Sequence, residues 1–137
     1  MIDEIYFNKK RDDFGASQFF ELIYNRLKIL LINTKLASLN SKNRLEQVNE
    51  VLKKIEKLPS YDLVVLCGDF NAISAYPEII NIKKRGFRTI NKENTHKDKV
   101  ILDYIFYKTK EKVKVESKVL LKDFSEHYCL INIFKFD

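Results

Sequence analysis

The sequence predicts an α/β fold: a mixed sheet with one main helix and a short second helix. Three observations carry that expectation. Two apolar runs of strand length, Ile29-Leu30-Leu31-Ile32 and Leu63-Val64-Val65-Leu66, flank a stretch whose apolar residues recur at helical spacing. Three further strand-like segments close the chain. The 137 residues, 45% hydrophobic and 32% charged, suffice for one domain with its own core and exclude wholesale disorder.

Residues 1–16 are of mixed composition and end in a turn signal, Asp12-Asp13-Phe14-Gly15. Residues 19–24 read as a strand, and Asn25-Arg26 as a turn into a second strand over 28–36. Its apolar centre, continuous on both faces, predicts burial on both. After a polar loop over 38–42, a helix is expected from Asn43, with Glu46 three residues on completing a capping box. Leu45, Val48, Leu52 and Ile55 form its apolar stripe, and Pro59 stops it. Residues 63–67 are the next strand. Strand, helix and strand with short connections predict a parallel pair. A short helix over 76–85 has Pro77 in its first turn and Gly86 at its end. A polar loop over 91–99 precedes strands at 100–107, 112–121 and 129–136. Val113 and Val115 alternate with Lys112 and Lys114, as in a strand with one wet face.

Composition narrows the partners. A net charge of +6 favours an anionic one, although lysines such as Lys9, Lys10, Lys53, Lys54, Lys83 and Lys84 are spread along the chain and single out no patch. No apolar run approaches the roughly 18–20 residues of a membrane span. Met1-Ile2-Asp3-Glu4 is acidic where a signal peptide is basic, so an intracellular protein of the cytoplasm or nucleus is expected. Cys67 and Cys129 sit in apolar segments with no Cys/His cluster, which predicts buried free thiols.

The chemistry gathers at strand ends. In Gly68-Asp69-Phe70-Asn71, alternation along an extended chain turns Asp69 and Asn71 to one side, and Gly68 admits a ligand or another backbone. A carboxylate and a carboxamide there suit a divalent metal, a water nucleophile or a phosphate oxygen; the stretch also reads as an Asx turn. Asp103 interrupts the apolar run over 100–107, which is costly unless it is paired or open to water or metal. Glu126 and His127 precede the last strand. A histidine hydrogen-bonded to a carboxylate is fixed in tautomer, and Asp103 is the natural partner of His127. Singly, Asp103 reads better as an ion pair or a turn-proximal acid on an edge strand, and Glu126-His127 as a solvated loop before a strand. Together they point to an active site, since α/β sheets bind ligands at their strands' carboxyl ends.

The motifs Asn33-Thr34-Lys35-Leu36, Arg44-Leu45-Glu46-Gln47, Gly68-Asp69-Phe70-Asn71, Leu102-Asp103-Tyr104-Ile105-Phe106 and Ser125-Glu126-His127 occur in this order. In order and spacing the set resembles the C-terminal half of the endonuclease/exonuclease/phosphatase superfamily, over about residues 28–137. The fourth motif is most similar to the CCR4/nocturnin/Angel branch. The resemblance implies a partial DNase I-like α/β sandwich, with residues 1–137 a single domain lacking the family's N-terminal half. It implies a metal-dependent phosphodiester hydrolase, a nuclease or related phosphoesterase, that uses Mg²⁺ or Mn²⁺ on nucleic acid or another phosphodiester.

The same resemblance assigns roles. Asp69 would orient and deprotonate the attacking water, and Asn71 would hold that water or a phosphate oxygen. His127, supported by Asp103, would bind the scissile phosphate. Glu126 and Asp69 would lie at the metal, and Asn33 and Lys35 would contact the substrate. The sequence departs from the family in three ways. None of Asp3, Glu4, Asp12, Asp13 and Glu21 has the strand-end Gln-Glu context of the family's metal-binding glutamate. Lys35 replaces a histidine, and Glu126 is one methylene longer than the family's aspartate. The isolated chain is therefore expected to be weak or inactive, and a second reading is an inactive remnant or binding module of the same fold. An inner sheet face this apolar would call for cover by a partner chain or by self-association.

Overall fold

The computed structural model describes residues 1–7 and 14–136; Lys9, Lys10 and the Asp12-Asp13 part of the turn signal lie outside the described residues. The elements run β1 (Asp3–Phe7), β2 (Gly15–Tyr24), β3 (Leu27–Lys35), α1 (Ser41–Lys57), β4 (Leu63–Asp69), α2 (Pro77–Lys84), β5 (Asp103–Thr109), β6 (Val113–Leu120) and β7 (Cys129–Phe136). Strands β1 to β5 form one sheet in sequence order, and β6–β7 form a two-stranded ribbon. β3 and β4 pair in parallel, as the intervening helix predicts, while the other pairs are antiparallel.

The turn into β3 is tight because Asn25 and Arg26 both take positive φ, 48° and 69°. Two such residues give the loop a twist that matches the flanking strands. β1 was not expected. It is an edge strand of five residues whose only buried side chains, Ile5 and Phe7, alternate among polar ones. β2 begins four residues before the expected Phe19. Gly15 to Gln18 have little β-propensity, but buried Ser17 hydrogen-bonds Thr34 of β3 at 2.5 Å, so pairing extends the strand where the side chains do not.

Helix α1 also starts earlier than expected. Asn40 is the cap, its side chain accepting from the Asn43 amide at 3.2 Å, so Asn43 lies in the first turn and exposed Glu46 closes no capping box. Val48, Val51 and Leu52 carry the buried face, joined by Arg44 and Gln47, whereas Leu45 and Ile55 are half-buried. α2 opens on Pro77 as expected, and Gly86 follows its end at φ 86°.

Three layers result. Leu30, Ile32, Leu66 and Phe106 turn one face of the sheet onto the helices. On the other face Leu63, Val65 and Tyr107 meet Val115, Phe134 and Phe136 of the ribbon. The expected burial of β3 on both faces is met only on the helix-side face, where Leu30, Ile32 and Thr34 are buried. Ile29 and Leu31 remain half-buried because the ribbon covers their face in part, leaving an apolar cavity of about 380 Å³ between the layers. Cys67 is half-buried, and burial pushes its thiol up to about 11. Cys129 is free as well but exposed, contrary to expectation, since β7 turns it away from the sheet. No helix of the described residues is long and apolar enough to cross a membrane.

Candidate active site

The antiparallel register of β4 and β5 sets Asp69 directly opposite Asp103. Asp103 therefore does not interrupt a strand. It begins β5, and Val100-Ile101-Leu102 lead up to it outside the strand. The end of one strand and the start of its neighbour thus bring two carboxylates together.

Backbone packing explains how Asp69 is held. Gly68 has φ 131°, and a Cβ built there would lie 1.8 Å from the Thr34 carbonyl oxygen, so the close neighbour that glycine admits is the backbone of β3. Phe70 is buried edge-on to Tyr104 and Phe106, with ring centroids 5.6 and 5.3 Å away. That anchor leaves Asp69 and Asn71 on the opposite side from it. Asn71 has φ 48°, and its amide N–H donates to Asp69 Oδ1 at 2.9 Å. This is the Asx turn that the sequence of the stretch also allows. Asn71 Nδ2 donates to Leu36 O at 2.9 Å and to Asp69 Oδ2 at 3.2 Å. Burial lifts the Asp69 carboxyl above its ordinary range and the Asp103 charge adds to this, while the Asn71 N–H, His127 and Lys35 act in the opposite sense.

His127 Nδ1 lies 2.9 and 3.2 Å from the two Asp103 oxygens. An ionised carboxylate only accepts, so Nδ1 carries the proton and Nε2 is left for another partner. Asn33 and Lys35 are exposed on β3 and share a cavity of about 410 Å³ with Gly68, Asp69, Glu4 and Gln18. Glu126 stands apart. It is exposed and paired with Lys97, whose hydrogen bond holds its carboxyl below the ordinary range.

Asp69, Asp103 and His127 are spaced to hold a metal ion, one ligand atom from each lying within 4.8 Å of the others. The carboxylate pair is the part that fits a hard cation, which prefers oxygen ligands and leaves its remaining positions to water and substrate. His127 Nδ1 is already engaged by Asp103.

Several further residues support the site; Arg44, Gln47 and Tyr104 lie within the sequence motifs but carry no assigned role there, and the others are not singled out by the sequence. Arg44 Nε donates to Glu78 Oε1 at 2.8 Å, both side chains being buried, and Arg44 Nη1 donates to Ser38 O at 3.1 Å. Gln47 Oε1 accepts from the Ala37 amide at 2.9 Å. Arg44 and Gln47 thus fix the segment after β3, whose Leu36 carbonyl holds Asn71. Tyr104 donates to Ala72 O at 3.0 Å and steadies the same turn from β5. Thr95 and His96, placed in a polar loop by their surroundings, are buried beside Asp103 and His127.

The model of the Endonuclease/Exonuclease/phosphatase family matches residues 40–127. Among solved structures, the mannosyl-6-phosphatase of Bacteroides thetaiotaomicron VPI-5482 superposes with a TM-score of 0.76 at 14% identity, over 98% of this chain and 65% of that one. An endonuclease/exonuclease/phosphatase from Bacteroides vulgatus gives 0.76 at 15%, over 99% and 66%. The human nocturnin catalytic domain with bound sulfate gives 0.70 at 18%, over 99% and 59%. At these identities the likeness establishes the DNase I-like fold. The chain spans about two thirds of the length of the structures it matches. No curated protein matches it.

Proposed function

This chain belongs to the endonuclease/exonuclease/phosphatase family, and from that premise we propose that it is a metal-dependent phosphodiester hydrolase, a nuclease or related phosphoesterase. The observation that carries the reading is the Asp69–Asp103–His127 group, two facing carboxylates with an imidazole hydrogen-bonded to one of them.

Asp69 takes the proton of the attacking water. Its desolvated carboxylate is a stronger base than an exposed aspartate, which suits that task. Asn71 has both amide hydrogens committed to Leu36 and Asp69, so its Oδ1 is the atom left to accept from the water. His127, with Nδ1–H held by Asp103, offers Nε2 to a phosphate oxygen. Lys35, opposite Asp69 in the β3–β4 register, adds positive charge at the substrate end, and Asn33 lines the same cavity. Mg²⁺ or Mn²⁺ bound by Asp69 and Asp103 would offset phosphate charge and acidify a bound water. The substrate is nucleic acid or another phosphodiester, in keeping with the net charge of +6.

One observation favours a second reading, an inactive member or binding module. Among the described residues no third carboxylate joins the group, and Glu126 is committed to Lys97. The chain's two-thirds coverage of its structural neighbours fits a site that needs a further segment or partner to reach full activity. Hydrolysis of bis(p-nitrophenyl) phosphate with and without Mg²⁺ decides between them, with Asp69→Ala as control. Weak turnover that needs the metal and Asp69 supports the hydrolase; none above the control supports the inactive reading.

A further inference from the structure

The chain has two histidines, and they meet beside the site. The rings of His96 and His127 pack edge to face, with centroids 4.7 Å apart and planes at 75°. Their backbones form an antiparallel bridge: Lys97 N donates to Glu126 O at 2.9 Å and Tyr128 N to Thr95 O at 2.7 Å. The neighbouring Thr95 is fully buried, and its hydroxyl oxygen accepts the amides of both Leu102 and Asp103, each at 3.0 Å. Two consecutive residues therefore grip both members of the Asp103–His127 pair, Thr95 through its hydroxyl on the Asp103 amide and its carbonyl on Tyr128, and His96 through its ring on His127.

The grip has its own support. Thr95 N and His96 N both donate to Val100 O, at 3.0 and 3.2 Å, and Lys99 N donates to His96 O at 3.1 Å with Lys99 at φ 60°. The Asp98 amide donates to His96 Nδ1 at 3.2 Å, which orients the His96 ring from within its own turn. The pair it braces needs such help. The His127 side chain is 39% exposed and that of Asp103 19%, so water competes for their hydrogen bond. An edge-to-face contact favours one ring orientation by roughly two- to tenfold.

We propose that Thr95 and His96 are positioning residues that clamp Asp103 and His127 together and keep the His127 ring in the Nδ1–H tautomer facing Asp103. The value of this clamp to catalysis rests on reading the pair as phosphate-binding, but its test needs no turnover. Long-range ¹H–¹⁵N correlation spectra of the imidazoles report the His127 tautomer directly, and Asp103→Ala gives the signal of a released ring. His96→Ala is expected to move His127 most of the way to that released signal, while His96→Phe, which keeps an aromatic edge, restores the locked one. Thr95→Val removes the hydroxyl acceptor and is expected to act similarly through Asp103, with Thr95→Ser restoring the lock.

A locked His127 signal in both folded His96→Ala and folded Thr95→Val overturns the clamp. Should Thr95→Val fail to fold, the His96 pair of variants decides alone. Expected spectra in a wild-type chain that hydrolyses no phosphodiester would uphold the clamp and remove the catalytic reading instead.

Discussion

Replacing Gly68 with alanine tests the packing that sets Asp69 in place. The added Cβ would sit 1.8 Å from Thr34 O, 2.9 Å from Thr34 C and 3.0 Å from Thr34 N. All three atoms are backbone of β3, so no side chain can swing aside, and the strands must separate or Gly68 must leave φ 131°. A non-glycine residue held at such a φ costs about 1–3 kcal/mol. Forced overpacking adds about 1–3 kcal/mol. The expected loss of roughly 2–6 kcal/mol is a large share of the ~5–15 kcal/mol that stabilises a domain. Gly86 is the internal control. Its φ is 86°, but the nearest atom to a Cβ would be Lys108 Cε at 3.5 Å, the flexible end of a side chain. Gly86→Ala should therefore show only the backbone cost, about 1–3 kcal/mol, without the overpacking. Urea unfolding followed by far-UV circular dichroism gives both values from the midpoint at constant m. If the two variants lose the same stability, the close approach of β4 to β3 is refuted, and with it the account of how Asp69 is positioned.

Breaking the buried Arg44–Glu78 pair by Glu78→Ala is expected to cost about 3–5 kcal/mol in the same assay. The apolar double replacement Arg44→Met with Glu78→Leu should recover much of it, and a double variant no better than the single would contradict the pairing. Asp69→Asn should abolish hydrolysis yet stabilise the metal-free protein. Because the Asp69 carboxyl is lifted above its ordinary range, its contribution is present below the unfolded value and lost as pH rises through the folded one. The variant's advantage in Tm should therefore grow between pH 4 and pH 7, and a shrinking advantage would reverse the sign assigned to the site. For the thiols, Ellman's reagent in the native state should consume exposed Cys129 quickly and half-buried Cys67 slowly, because burial pushes the Cys67 thiol up to about 11. Two equally fast thiols would mean that β4 is more open than it stands here.

How legible the site was in the sequence depended on how local its physics is. Asp69 and Asn71 could be read because strand alternation is local, and the pairing of Asp103 with His127 because a carboxylate beside an imidazole has few better uses. The facing of Asp69 and Asp103 could not be read, since register is fixed by pairing along the whole of β4 and β5. Arg44 and Glu78 lie in helices, where charge ordinarily means a solvated face. Only the meeting of α1 and α2 makes them a buried pair. Thr95 and His96 sit in a stretch whose composition says loop, and their contacts come from residues up to 33 positions away in the chain. β1 was hidden for a related reason. As an edge strand it buries two side chains, too few to print a period.

The candidate site is also a joint between layers. Asp69, Asn71 and Asp103 stand on the five-stranded sheet, whereas His127 lies at the entrance to β7 of the ribbon. The 2.9 Å between His127 Nδ1 and Asp103 is thus a distance between two bodies that slide or separate if their packing loosens. A two-stranded ribbon is marginal alone, and this one leans on Tyr107 through Phe134, whose rings meet edge to face at 5.4 Å. Beside that contact lies the apolar cavity of about 380 Å³, and the buried Asn132 amide at its wall finds no hydrogen-bond partner among the described residues. Closer packing there would stiffen the ribbon, and through it His127, without touching Asp69, Asp103 or His127. The Thr95–His96 turn acts at the same seam from the opposite end, bonding to Asp103 on the sheet and to Tyr128 beside the ribbon. Precision at the His127 end of the candidate site is consequently set by how firmly sheet and ribbon are fastened at these two places.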